Sequence, residues 1–166
     1  MINKKAKIIV LFPLYNGEKT ILEAMKCIAN QTYSDFKAVV VENHSTDNSM
    51  KIATDLVAND NRFEVVQNDT HVDVLTNFIN AVENYKHLGD YLVIRAHDDL
   101  SAPNFLEELS KSLDQNPDKD LAVCDVRFIK NGTLFEKSLL PSSLISFREN
   151  LRVNKAPRRL IFPSAW

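Results

Sequence analysis

The feature that most constrains the fold of this chain is a repeated alternation. Short apolar runs give way, again and again, to segments with helical period. Residues 8–12 are continuously apolar and rich in β-branched side chains, as in a strand buried on both faces. Residues 19–31 then place Ile21, Met25 and Ile28 on one helical stripe. Residues 36–41 form a second apolar run. Ser45 or Thr46 is positioned to cap a helix reaching Ala58, with Ile52 and Leu56 turned inward. Residues 63–66 read as a third strand. Residues 72–85 carry a helical period through Leu75, Phe78, Ile79 and Val82, and residues 91–94 read as a fourth strand. Ser101 is expected to cap a helix with Pro103 in its first turn and Phe105, Leu109 and Leu113 inward. Residues 121–128 read as a fifth strand, followed by a hairpin turn at Asn131-Gly132.

Strand and helix in strict alternation predict an α/β fold with a mostly parallel central sheet and helices on both faces. Right-handed crossovers bring the carboxyl ends of the strands to one edge, where such folds bind ligands. A length of 166 residues suits one domain with a real core. The net charge of -2 gives no reason to expect nucleic acid as a partner. Cys27 and Cys124 are far apart and sit in apolar segments, which reads as buried thiols in a reducing compartment. The run at 8–12 is too short for a signal peptide or a membrane span. A cytoplasmic protein is therefore expected, with attachment to the inner face of the membrane open.

Three polar clusters directly follow predicted strands. The first is Pro13-Leu14-Tyr15-Asn16-Gly17, the second Glu42-Asn43-His44-Ser45-Thr46-Asp47, and the third His97-Asp98-Asp99. Each alone has a structural explanation as a turn, a helix cap or a complement to a helix dipole. Their convergence on one sheet edge favours a binding site. Asp98 and Asp99 carry the clearest chemistry. Adjacent carboxylates repel unless a positive group lies between them. A hard divalent cation such as Mg or Mn takes one or two carboxylates together with phosphate oxygens. Other nucleotide signatures are missing. The chain has no Gly-x-x-x-x-Gly-Lys-Ser/Thr loop, no Gly-x-Gly-x-x-Gly after the first strand and no Gly-x-Ser-x-Gly elbow.

In order and spacing these residues resemble the family 2 glycosyltransferases. The similarity rests on Phe12-Pro13-Leu14-Tyr15-Asn16-Gly17, on Gln31-Thr32-Tyr33-Ser34-Asp35-Phe36, and on Val41-Glu42-Asn43-His44-Ser45-Thr46-Asp47. It continues in Ala96-His97-Asp98-Asp99 and in Pro103 and Leu106, and so runs from about Lys7 to about Phe128. The resemblance implies a Rossmann-like GT-A fold and an inverting transfer of sugar from a nucleoside diphosphate, a UDP-sugar above all, to a hydroxyl. The implied setting is surface polysaccharide or glycan synthesis. It implies that Pro13, Tyr15, Asn16, Glu42, Asn43 and Asn77 hold the uracil and ribose of the donor. Asp98 and Asp99 are implied to hold Mn or Mg, with Asp98 and His97 also near the donor. The implied partners are a nucleoside diphosphate sugar and a glycan or lipid-linked acceptor.

The departures from the family pattern are specific. The usual Asp-Asp after strand two is Glu42-Asn43, the first acid of the metal element is Ala96, and a glycine expected near Thr70 to Asp73 is absent. The acids after Asp99 include Asp125, Glu136 and Glu149, and none lies in the Glu-Asp-like pattern that supplies the base in this family. The base is accordingly expected beyond Trp166. Residues 1–130 are expected to form the nucleotide-sugar-binding domain. Residues 131–166 are expected to form a hairpin and basic helical tail that starts an acceptor region. Arg148, Arg152, Lys155, Arg158 and Arg159 in that tail suggest a solvated helix or a surface for phosphate or anionic lipid. The competing reading is a sugar-nucleotide-binding module without catalysis.

Overall fold

The computed structural model describes residues 6–124, 128–130, 133–135 and 160–163. Its elements run β1 (Ala6–Leu14), α1 (Ile21–Ala29), β2 (Phe36–Glu42), α2 (Ser49–Val57), β3 (Phe63–Gln67), α3 (Val74–Tyr85) and β4 (Gly89–Ile94). Then follow α4 (Phe105–Gln115), β5 (Leu121–Cys124), β6 (Phe128–Lys130), β7 (Thr133–Phe135) and β8 (Leu160–Pro163). The central sheet has the order β3-β2-β1-β4-β8-β5, and every pairing in it is parallel.

β1 is central, and both of its faces are buried, as its unbroken apolar run requires. Ile8, Val10 and Phe12 meet Ile21, Met25 and Ile28 of α1, Ala53 of α2 and Leu106, Leu109 and Leu113 of α4. Ile9 and Leu11 face the other way, toward Ala81 of α3. Burying each large aliphatic side chain contributes about 2 kcal/mol, so this two-sided strand anchors the core. The register aligns the strand ends. Leu14 lies opposite Glu42, and Glu42 lies opposite Gln67. The loops that follow these strands therefore open on one edge.

The motif Gln31-Thr32 proves to be a brace. Buried Gln31 donates from Nε2 to the carbonyls of Cys27 and Ala102 and accepts at Oε1 from the Leu106 N–H. Thr32 N–H donates to the Pro103 carbonyl. The carboxamide thereby satisfies an orphan donor at the start of α4 and fixes the loop that leads into it.

Several elements differ from the sequence expectation. Neither Ser45 nor Thr46 caps α2. The helix begins later, and Asp47 Oδ1 accepts from the Ser49 N–H instead. Ser101 does not cap α4, whose N-cap residue is Asn104. The Ser101 hydroxyl is buried and has no hydrogen-bond partner among the described residues. The α3 stripe is rotated relative to its apolar period. Asn77 and Ala81 are buried, whereas Leu75 and Ile79 are 65% and 52% exposed. The fifth strand is shorter than expected, ending at Cys124, with β6 as a separate strand. Finally, the tail is not wholly helical. Leu160–Pro163 forms β8 and inserts between β4 and β5. Its apolar residues are few and follow a basic stretch, so charge masked a short strand. Asn131 and Gly132 lie outside the described residues, although β6 and β7 pair antiparallel with Lys130 opposite Thr133. The five basic tail residues lie outside them too.

Candidate functional site

The loops after β1 and β2 are stitched together before they reach any ligand. The Asn16 N–H donates to Ser45 Oγ, and Asn16 Oδ1 accepts from the Thr46 N–H and hydroxyl. Asn16 holds a left-handed backbone with φ of 50°, which Asn tolerates better than most residues. The Gly17 N–H donates to Ser49 Oγ, and the Glu18 N–H donates to Asp47 Oδ2. Burial pushes the Asp47 carboxyl up, but hydrogen bonds from Ser49 and Glu18 outweigh it and hold the group below the usual carboxylate range.

Glu42 and Asn43 are committed to this scaffold. Both are buried. Glu42 Oε1 accepts from the Ser45 N–H, and Oε2 accepts from the His44 N–H and from Gln67 Nε2. Burial raises the Glu42 carboxyl, and these hydrogen bonds more than reverse the effect, leaving it below its ordinary value. Asn43 Nδ2 donates to the Val72 carbonyl, while Oδ1 accepts from the Val72 N–H and from Asn68 Nδ2. Asn68 Nδ2 also donates to Asn77 Oδ1. Three amides thus clamp the loop between β3 and α3.

That loop walls a cleft of about 530 Å³ at the carboxyl edge of the sheet. A volume in this range suits a small organic ligand. The cleft is lined by Pro13, Tyr15, Asn43, Asn77, His97, Asp98 and Asp99, together with Ala96, Phe78 and residues 71–74. Glu42 and Asn16 do not line it. Of the residues singled out in the sequence, the structure therefore gathers seven around one space and assigns two to the framework behind it. Sequence reasoning missed His71, Val72, Asp73 and Val74. The signal was available, because they follow β3 at the same edge as the other clusters.

His97 connects two of the loops. Its Nδ1 is 3.1 Å from Thr20 Oγ1, and its ring packs against Gly17. Asp98 is exposed, and Asp99 is half-buried. Burial raises the Asp99 carboxyl; nearby Arg95 opposes that rise and Asp98 adds to it. Arg95 is almost fully buried, donates to the Leu100 carbonyl and lies 5.2 Å from the Phe105 ring centroid. A fixed cation therefore stands behind the acid pair. Among the described residues there is no group of three or more His, Cys, Asp or Glu side chains arranged to hold a metal ion. The two carboxylates still fit a Mg- or Mn-type cation whose other ligands are phosphate oxygens and water.

Comparison with known proteins bears on the family and the fold. The family model for glycosyl transferase family 2 matches residues 9–164. The chain belongs to that family. The glycosyltransferase GlyG of Streptococcus pneumoniae is 29% identical over 114 residues, covering 69% of this chain and 37% of GlyG. A crystal structure of S. aureus TarS residues 1–349 with UDP superposes with a TM-score of 0.62 at 26% identity, covering 70% of this chain and 35% of that one. The mannosyltransferase PcManGT of Pyrobaculum calidifontis, solved with GDP-Man and Mn2+, shares the fold with a TM-score of 0.61 at 22% identity. It covers 76% of this chain and 37% of PcManGT. The chain spans well under half the length of these proteins. Its fold is the α/β GT-A fold.

Proposed function

We propose that this chain is the donor-binding part of an inverting glycosyltransferase that carries a sugar from a nucleoside diphosphate to a hydroxyl. The observation that carries this reading is a single cleft, at the carboxyl edge of a parallel sheet, lined by both an aromatic pair and an acidic pair. Tyr15 and His71 offer ring surface to a nucleobase, and Asp98 and Asp99 suit a metal-bound diphosphate. Membership of the family and the likeness to TarS, crystallised with UDP and with UDP-GlcNAc, support a UDP-sugar as donor.

In the reaction, the acceptor hydroxyl attacks the anomeric carbon while the bond to the diphosphate breaks on the opposite face. The hydroxyl proton passes to a base. Asp98 and Asp99 would hold Mg or Mn, which when bound neutralises charge on the departing diphosphate. His97, tied to Thr20, orders the loop that carries them. The acceptor in this reading is a glycan or a lipid-linked saccharide, and the product a surface glycan made on the cytoplasmic side. No helix among the described residues is long and apolar enough to cross a membrane. A second reading, a sugar-nucleotide-binding module without catalysis, draws on Ala96 standing where the family's first metal acid belongs.

Equilibrium dialysis against UDP-, GDP- and dTDP-sugars, with Mn present, tests the proposal. Saturable binding of at least one nucleotide sugar, and of no free hexose, is expected. Failure to bind any of them would overturn it.

A further inference from the structure

Resting on the donor-cleft reading above, we infer that His71 selects the nucleobase, by accepting a hydrogen bond from a ring N–H of the base at its Nε2. The Glu42-Asn43 pair after β2 does not serve this purpose here. Both carboxylate oxygens of Glu42 are already occupied by Ser45, His44 and Gln67, the residue is buried, and it does not line the cleft. Both polar atoms of the Asn43 side chain are bonded to Val72, and one also to Asn68. A base entering the cleft therefore meets the loop that these residues support and, of the two, only Asn43, whose side-chain oxygen and nitrogen are already engaged.

On that loop His71 has the needed chemistry. Its Nδ1 lies 2.9 Å from the carbonyl oxygen of Asn43. A backbone carbonyl can only accept, so Nδ1 carries the hydrogen. In the neutral ring, Nε2 then bears a lone pair, on an exposed side chain that lines the cleft. The ring touches Tyr15, with centroids 4.7 Å apart and planes tilted by 44°. Tyr15 is itself 39% exposed, so the pair presents open aromatic surface to the cleft. An aromatic face and one fixed acceptor suit a base that carries a ring N–H, such as uracil or guanine. Cytosine and adenine present an acceptor nitrogen at the corresponding position, and two lone pairs facing each other disfavour them. A site that hydrogen-bonds a ligand N–H rejects analogues lacking it more strongly than a purely apolar pocket would.

The test is calorimetric titration of the intact chain with the pairs UDP and CDP, and GDP and ADP, in saturating Mn. Wild type, His71→Ala and His71→Phe are compared. The phenylalanine variant keeps a ring beside Tyr15 but has no nitrogen. Manganese pyrophosphate serves as a ligand without a base, and melting temperature serves as the control for folding. The wild type is expected to prefer the N–H-bearing member of at least one pair by tenfold or more. Both variants are expected to lose most of that preference while melting and pyrophosphate affinity stay unchanged. Preference that persists in both variants, or a wild type that binds the members of each pair equally, would overturn the assignment to His71. A wild type that binds pyrophosphate but no nucleoside diphosphate would instead sink the nucleotide reading itself, and with it this inference.

Discussion

The side chain of Asn43 grips the backbone of Val72 from both sides, donating to its carbonyl at 2.8 Å and accepting from its N–H at 3.0 Å. An amide can do both; a carboxylate can do only the second. The resemblance to the family suggests Asp at this position, yet Asn43→Asp is predicted to harm this protein. It would turn a carboxylate oxygen toward the Val72 carbonyl and leave a buried acceptor without its donor. The expected cost is about 1–3 kcal/mol in chemical denaturation, with weaker nucleotide binding. A variant as stable as wild type would show that the bridge to Val72 is incidental.

Glu42 leads to a prediction about pH. Its carboxyl sits below its ordinary value in the fold, because hydrogen bonds from Ser45, Gln67 and His44 outweigh burial. A lowered acid stabilises the folded state above the unfolded-state value, about 4.3 for Glu, and that contribution fades as pH falls through the folded-state value. Glu42→Gln should therefore lower the melting temperature at neutral pH. The gap to wild type should close in acid, where both side chains are neutral. A gap that stays constant from neutral pH down to about 3 would contradict this account of the carboxylate.

Gly17 marks a place where backbone and ring meet. A Cβ there would lie 2.7 Å from His97 Nδ1 and 2.9 Å from Leu14 Cδ1. Leu14 is fully buried, and His97 is held by Thr20, so neither yields easily. Gly17→Ala should cost about 1–3 kcal/mol through overpacking and should weaken nucleotide binding by shifting His97 in the cleft. Unchanged stability and binding would mean that His97 can swing aside.

Much of this was legible in the sequence, and the limits have physical causes. The alternation of apolar runs and helical stripes was enough to predict the parallel core, because β1 and β2 are buried on both faces and carry no competing signal. Clusters following β1, β2 and β4 led to the cleft, and Tyr15, Asn77, His97, Asp98 and Asp99 line it. Glu42 and Asn16 follow strands and stand in segments that match the family pattern, and it is the resemblance that assigns them to the donor. Their hydrogen bonds go to neighbouring segments: Glu42 accepts from Ser45, His44 and Gln67, and Asn16 bonds with Ser45 and Thr46. His71 follows β3 at the same edge but stands in no motif that the resemblance supplies, so its residue type alone does not mark it. The tail's short strand β8 was hidden by the basic residues before it.

The α3 helix shows where periodicity alone misleads. Its apolar residues recur at helical spacing, yet Leu75 and Ile79 face outward while Ala81 and Asn77 face the sheet. Ile79→Lys is therefore expected to change stability by no more than about 0.5 kcal/mol, as exposed substitutions usually do. Ala81→Leu, at a fully buried position against the sheet, should cost about 1–3 kcal/mol. A reversed order in thermal or urea denaturation would contradict the helix orientation described here.

In the proposed function, the edge carrying Asp98 and Asp99 clamps a nucleoside diphosphate through a divalent cation. The carboxylates are adjacent, Asp99 is raised by burial, and no third acidic, His or Cys ligand joins them among the described residues. Cation and diphosphate should accordingly bind together better than either binds alone. The direct measurement is the affinity of UDP for wild type and for Asp99→Asn, each with saturating Mn and with chelator. Wild type is predicted to bind UDP at least about tenfold more tightly with Mn, a gain of about 1.4 kcal/mol, and Asp99→Asn to lose that gain without a drop in melting temperature. Equal affinity for UDP in Mn and in chelator would contradict the account.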